Sequence, residues 1–236
     1  AFGVFATTAI TAVTVQNTMG VSGFQEIAPE TVAAQIRAVA QDIGLDAAKT
    51  GMLASAPIVD AVADTVAAVS IPKLVVDPVF VSKHGHRLLA ADAVASLRER
   101  ILPLATLVTP NLPEAAELSG VPVASRDDMR RVGEHLLELG SYAVLVKGGH
   151  LQDGGADDLF VDGEREEWLE SERLVTRHTH GTGCVLSAAI AAELARGTEL
   201  LDAVRSGKAF VTDAIRHSLA LGEGIGPVDP LWRNRR

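Results

Sequence analysis

The 236-residue sequence is 47% hydrophobic but only 4% aromatic, a composition that supports one aliphatic core built from Ala, Val, Leu and Ile. Its 30 acidic and 21 basic side chains give a formal net charge of −9 with no basic block, so it lacks the electrostatic footprint of a nucleic-acid binder. No apolar run reaches the roughly 18 residues of a membrane span, no secretory leader is visible, and the single cysteine, Cys184, cannot form an intrachain disulfide; a cytosolic protein is expected.

Along the chain, apolar runs rich in Val, Ile and Thr alternate with Ala-rich segments of helical period, the pattern of a mostly parallel sheet covered on both faces by helices. Thr8 to Gln16 is the first such run and is expected to be a buried strand paired on both sides, because it carries none of the charges that protect an edge. Pro29 to Ile43 follows as a helix, with Pro at its first position, Val32, Ile36, Val39 and Ile43 on one stripe, and Gly44 as its stop. Lys73 to Asp77 is predicted as a strand, Asp92 to Arg100 as a helix, and Leu104 to Thr109 as the next strand. A helix over Asp127 to Leu139 then leads to a strand at Tyr142 to Lys147. Between Asp157 and Arg177 short alternating pieces such as Asp158 to Asp162 predict an antiparallel edge ahead of the last helices. No repeat or linker divides the chain, so residues 1–236 read as one domain.

Each strand ends in a polar or glycine-rich corner: Gln16-Asn17-Thr18, Asp77-Pro78-Val79, Thr109-Pro110-Asn111 and Lys147-Gly148-Gly149. In open α/β sheets, ligands sit beyond the carboxyl ends of strands, so these corners are where chemistry is expected. The most informative segment is His178-Thr179-His180-Gly181-Thr182-Gly183-Cys184, which feeds the Ala-rich helical run Val185 to Arg196 closing at Gly197. A glycine-rich turn at a helix N-terminus aims unpaired N–H groups and the positive end of the helix dipole at one spot, an arrangement suited to a phosphate; a plain loop-to-helix start is the alternative. Cys184 lies in the first turn, where the dipole is expected to lower the thiol pKa and favour a base. It also reads as a small apolar residue packed beside Ala188 and Ala189, and a third reading makes it a nucleophile served by His178 or His180.

Taken together, HGTGCVLSAAIA, TAVTVQNT, KTGML, VVDPVFVSKHG, TPNLPEAAEL and VLVKGGH resemble, in order, the hydroxymethylpyrimidine and phosphomethylpyrimidine kinases of thiamine biosynthesis. The resemblance spans nearly the whole chain. Its most specific element is the cysteine of GTGC, where sugar kinases of the same fold carry aspartate. It implies a ribokinase-like three-layer α/β sandwich that uses ATP and Mg²⁺ to phosphorylate 4-amino-5-hydroxymethyl-2-methylpyrimidine and then its monophosphate, as a homodimer. Pyridoxal kinases share the fold and are the rival reading. A non-catalytic pyrimidine-binding module is a rival of another class.

The resemblance also implies roles. Cys184 falls on the family's base position, and the N–H groups of Gly181, Thr182 and Gly183 would hold the transferring phosphoryl group, positioning and charge stabilisation being most of what phosphoryl transfer requires. Lys147 would reach the ATP phosphates as a point charge, unless it is a solvated strand-end lysine. Asn111 and Glu114, three apart on a first helical turn, resemble the unit that holds Mg²⁺ largely through waters, although a helix cap with an acidic first turn accounts for them equally. Asp77 has the same two readings. Gln16 falls on the glutamine that contacts the pyrimidine, its amide offering a donor and an acceptor in one plane, the geometry by which glutamine reads adenine. Met52 and Val79 would be apolar walls, although such residues are commonly core. Family members begin with a strand, a glycine-rich loop and a helix ahead of the segment matching Ala1-Phe2-Gly3-Val4. The natural polypeptide is therefore expected to be longer at its N-terminus, and a protein starting at Ala1 to be nearly inactive.

Overall fold

The computed structural model describes residues 1–81, 85, 87–149, 151 and 155–234. Ser82, Lys83, His84 and His150, which belong to two of the motifs above, lie outside the described residues.

The chain opens with a hairpin of β1 (Ala12–Asn17) and β2 (Gly20–Glu26), antiparallel, with a register shift between Val15 and Gln16. This corrects the expectation of a buried strand over Thr8 to Gln16. The hairpin forms a separate two-stranded sheet, and Val13 and Val15 are 55% and 65% exposed. The cause is local: the Asn17 side-chain oxygen accepts from the backbone N–H groups of Met19 (2.9 Å) and Gly20 (3.2 Å). Such a turn folds the chain back on itself instead of carrying it into the central sheet.

Helix α1 (Pro29–Asp42) has Pro at its first position, and Gly44 adopts φ +81° just past its end, the left-handed conformation that glycine tolerates at a helix stop. Of the expected stripe, Val32 is buried and Ile36 packs against the core, whereas Ile43 lies at the helix end and is exposed. There follow β3 (Ala48–Thr50), α2 (Ala56–Val69), β4 (Leu74–Val76) and α3 (Ala93–Ser96), which widens into a π-turn over Leu97–Ile101. Pro103 interrupts the backbone, so β5 shrinks to Leu107–Val108. Helix α4 (Leu112–Ser119) and helix α5 (Arg126–Glu138) precede β6 (Ala143–Lys147), β7 (Asp158–Asp162), β8 (Glu166–Leu169), α6 (Thr182–Ala195) and α7 (Leu200–Arg216).

The six-stranded sheet runs β3-β4-β5-β6-β7-β8. Its first four strands are parallel, and β7 and β8 form the antiparallel edge expected from the sequence. Alternation along the strands divides the core. Leu74, Val76, Val108, Val144, Val146, Leu159 and Val161 face a layer made of α1 to α5. Val75, Leu107, Ala143, Leu145 and Phe160 face α6 and α7. The result is the three-layer α/β sandwich predicted from the pattern. Strands buried on both faces explain why LVV and AVLV read as unbroken apolar runs. Among the described residues, no helix is long and apolar enough to cross a membrane.

Candidate active site

The carboxyl ends of β3, β4, β5 and β6 deliver Lys49, Asp77, Thr109 and Lys147 to one spot, against the N-terminus of α6. Asp77, one residue beyond β4 and 2% exposed, is the hub. Its Oδ1 is 3.0 Å from Lys147 Nζ, its Oδ2 is 3.8 Å from Lys49 Nζ, Ser187 donates its hydroxyl to Oδ2 at 3.2 Å, and Thr109 donates to Oδ1 at 3.4 Å. Burial opposes the charge of Asp77, but the two lysines and these hydrogen bonds outweigh it and hold the carboxyl below its ordinary range. Burial likewise works against the Lys147 ammonium, and the charges of Asp77 and Glu114 raise it.

Asn111 and Glu114 form a reciprocal cap on α4. The Asn111 side-chain oxygen accepts from Glu114 N–H at 3.0 Å, and Glu114 Oε2 accepts from Asn111 N–H at 2.8 Å. The cap also carries Glu114 inward, to 3.9 Å from Lys147 Nζ. Burial pushes its carboxyl up to about 7, against the pull of Lys147. Because an acid raised from 4.5 binds more protons folded than unfolded between those values, stability falls as pH rises through that window and stays lost above it. Glu114→Gln is therefore expected to flatten this part of the pH profile, gaining about 3 kcal/mol relative to the parent between pH 5 and pH 8. Denaturant titrations of the two proteins at both pH values check it.

Gly181 begins α6 with φ +84°, a left-handed conformation that presents the next N–H groups outward. Thr182 turns both its hydroxyl (2.7 Å) and its backbone N–H (3.3 Å) back to the Thr179 carbonyl, the second being a long bond. A side chain on Gly183 would meet Lys147 Nζ at 3.3 Å and the Asp77 carboxylate at 3.7 Å. The helix start and the ion cluster thus lie in near contact. Cys184 is accessible from the cleft, yet the expectation of a lowered thiol pKa is not met. The protein packed around the sulfur pushes the thiol up, and the nearby Asp77 carboxylate adds to the rise, against the opposing pull of Lys49 and Lys147. Cys184 therefore stands as a neutral thiol beside a carboxylate.

Gln16 stands exposed near the tip of the hairpin, opposite Val21, and among the described residues its amide makes no hydrogen bond. Met52 and Val79 are half-buried. The Met52 carbonyl accepts from the Thr11 hydroxyl at 2.7 Å, which anchors the hairpin root, and Val79 N–H donates to the Asp77 carbonyl at 2.9 Å. The hairpin tip is held by a segment the sequence reading passed over, Gly222 to Pro227. Ile225 and Gly224 donate their N–H groups to the Thr18 carbonyl (2.8 Å) and hydroxyl (3.3 Å). Gly226 donates to His178 Nδ1 at 3.0 Å, and His180 N–H donates back to the Gly226 carbonyl at 3.1 Å. One short loop thus braces both the Gln16 hairpin and the approach to Gly181. It places His178 in a structural bond, away from the role of a base to Cys184. Glycines in GEGIGP were the available signal: a side chain on Gly224 would run into the Thr18 carbonyl. Lys49, Thr109 and Ser187 were also missed.

Among the described residues, no group of three or more His, Cys, Asp or Glu side chains could cage a metal ion. Asp77 and Glu114 nonetheless supply two hard carboxylates on either side of Lys147. That donor set fits a magnesium ion held through waters and substrate oxygens, and would not fit one held by protein ligands alone.

The family model described as phosphomethylpyrimidine kinase matches residues 1–229. A hydroxymethylpyrimidine/phosphomethylpyrimidine kinase of Streptomyces coelicolor is 51% identical over 98% of this chain and 86% of its own. The protein of the same name from Synechococcus elongatus is 47% identical over 95% of this chain and 86% of its own. Among solved structures, an ADP complex of Bacillus subtilis pyridoxal kinase aligns over 100% of this chain and 90% of its own, with TM-score 0.91 and 37% identity. Phosphomethylpyrimidine kinase from Clostridium difficile aligns over 91% of this chain and 88% of its own, with TM-score 0.80 and 40% identity.

Proposed function

The chain belongs to the phosphomethylpyrimidine kinase family, and we propose that it transfers the γ-phosphoryl group of ATP first to the alcohol of 4-amino-5-hydroxymethyl-2-methylpyrimidine and then to the resulting monophosphate. The observation that carries this reading is the approach of Gly183 and Cys184 to the Lys147–Asp77 pair at the start of α6. Phosphoryl transfer needs little covalent help from a protein, and the parts it does need are donors for the moving group, a cation and a proton acceptor. The N–H groups of Gly181 and Gly183, with that of Thr182 once it leaves its long 3.3 Å bond to the Thr179 carbonyl, provide the donors, Lys147 the cation and Cys184 the acceptor.

A neutral thiol can still move a proton if it relays one. As the acceptor oxygen bonds to phosphorus and the bond to the leaving ADP oxygen breaks, its O–H proton passes to Cys184 Sγ while the thiol's own proton passes to the neighbouring Asp77 carboxylate, whose charge acts on that thiol. The pair starts as thiol and carboxylate and ends as thiol and carboxylic acid, having taken up the one proton that the alcohol gives up. Asp77 and Glu114 would hold magnesium through waters, and the ion would neutralise phosphate charge when bound. Asn111 serves this by fixing Glu114 through the cap.

Gln16 is the group on the hairpin able to match the amino and ring-nitrogen edge of the pyrimidine, with Met52 and Val79 as apolar neighbours of the ring. Gln16→Ala is expected to raise KM for the pyrimidine by about tenfold or more while changing KM for ATP little, since a lost polar contact of this kind is worth about 1–3 kcal/mol. Steady-state kinetics with each substrate varied in turn decides it, equal effects removing Gln16 from the pocket. ADP release that depends on added pyrimidine tests the activity itself; release independent of it would refute the reading.

A further inference from the structure

The mechanism above uses one of the two lysines on Asp77 and leaves Lys49 unassigned. Lys147 is committed: its ammonium lies 3.0 Å from Asp77 and 3.9 Å from Glu114. Lys49, the middle residue of β3, approaches Asp77 only to 3.8 Å, beyond hydrogen-bonding distance, and 20% of its side chain is exposed. Among the described residues its ammonium donates no hydrogen bond. Space is kept for it by Gly51, where a side chain would come within 2.8 Å of Lys49 Nζ. It also lies close enough to Cys184 to be the leading positive charge acting on that thiol. A cation with uncommitted donors therefore stands beside the acceptor end of the site, apart from the cation assigned to ATP.

The two acceptors make opposite demands. The alcohol is neutral and must lose a proton as it attacks. The monophosphate attacks through an oxygen that already carries negative charge, so no proton need be removed, but a phosphomonoester must be brought against the phosphates of ATP. Its P–O bond forms as the bond to the leaving ADP oxygen breaks, and the electron pair departs with ADP. The barrier special to this second step is repulsion between like charges, which a desolvated cation offsets.

Resting on the kinase reading given above, we infer that Lys49 is a specificity-determining residue that binds the phosphomonoester of the monophosphate acceptor and so serves the second phosphorylation more than the first. The test measures kcat/KM for the alcohol and for the monophosphate with the intact chain, with Lys49→Met and with Lys49→Arg. Lys49→Met is expected to lower the monophosphate value about 10- to 100-fold more than the alcohol value, the scale of a lost hydrogen bond to a charged group. Lys49→Arg, which keeps the charge, is expected to restore most of the ratio. Thermal unfolding of each variant accompanies the kinetics. Asp77 keeps Lys147, Ser187 and Thr109 in either variant, so both are expected to fold.

Equal losses on both acceptors, or an arginine variant no better than methionine, would overturn the inference while leaving the kinase reading in place. A parent protein active on the alcohol but not on the monophosphate would overturn it as well. A parent inactive on both, when produced as the full-length natural polypeptide, would overturn the kinase reading and the inference together.

Discussion

Cys184→Ala is expected to lower kcat for the pyrimidine alcohol by about 10²- to 10⁴-fold, the usual contribution of a positioned proton acceptor. The variant should bind ATP nearly as well as the parent, because the donors at Gly181, Thr182 and Gly183 are backbone and survive it. Loss of a thiol at the cleft surface leaves Asp77 its two lysines, Ser187 and Thr109, so the fold should persist. The relay adds a second expectation that packing would not produce: the loss should be smaller with the monophosphate, which has no proton to give up. Rapid-quench measurement of the chemical step with both acceptors, alongside nucleotide binding by calorimetry, checks the pair of statements. Wild-type kcat in the variant would reduce Cys184 to a packing residue.

Lys147→Met is expected to act on both activity and stability. Its ammonium lies between Asp77 and Glu114 with little solvent access. Removing it leaves two buried carboxylates facing each other with only Lys49 nearby. Breaking a buried pair in this way costs about 3 kcal/mol, partly relieved by protonation of Glu114, whose carboxyl is already pushed up to about 7. Turnover should fall by about 10²-fold or more, because the charge that develops on the transferred group loses its fixed cation. Chemical denaturation and saturation kinetics in ATP separate the two effects. The stability loss should be larger at pH 8 than at pH 6, since Glu114 can go neutral at the lower value. A variant of parental stability at both pH values would mean that the cluster is solvated, contrary to the 2% exposure of Asp77.

The sandwich was legible because its strands are buried on both faces. Leu74–Val76 and Ala143–Lys147 could hardly be anything but central strands, and the glycines flanking Thr182 mark the start of α6 in the sequence. The hairpin was misread because alternation of apolar residues over Thr8 to Gln16 signals extended chain without saying what covers it. Only the turn made by the Asn17 side chain distinguishes a solvent-facing hairpin from a core strand. Asp77 was identified as a candidate but not as the hub. Its partners Lys147 and Ser187 are 70 and 110 residues away, and no local spacing encodes such a meeting. Lys49 had no local pattern at all. Of the two readings of the N-x-x-E unit, the helix cap is the one the structure shows, and the same cap aims Glu114 at Lys147. The thiol was misjudged because a helix dipole is a weak field beside burial and a neighbouring carboxylate.

Likeness of overall shape cannot separate a pyrimidine kinase from a pyridoxal kinase, since both kinds of structure superpose closely on this chain. On the proposal that Gln16 reads the ring edge, the distinction falls there, where the pyrimidine carries an amino group beside a ring nitrogen and pyridoxal does not. The direct measurement is kcat/KM for hydroxymethylpyrimidine, its monophosphate and pyridoxal in one ADP-release assay with Mg²⁺ and ATP. The pyrimidine alcohol is expected to exceed pyridoxal by about 10²-fold or more, the discrimination available to a site left with an unmatched polar group. Pyridoxal turned over as well as the pyrimidine, or better, would contradict the assignment.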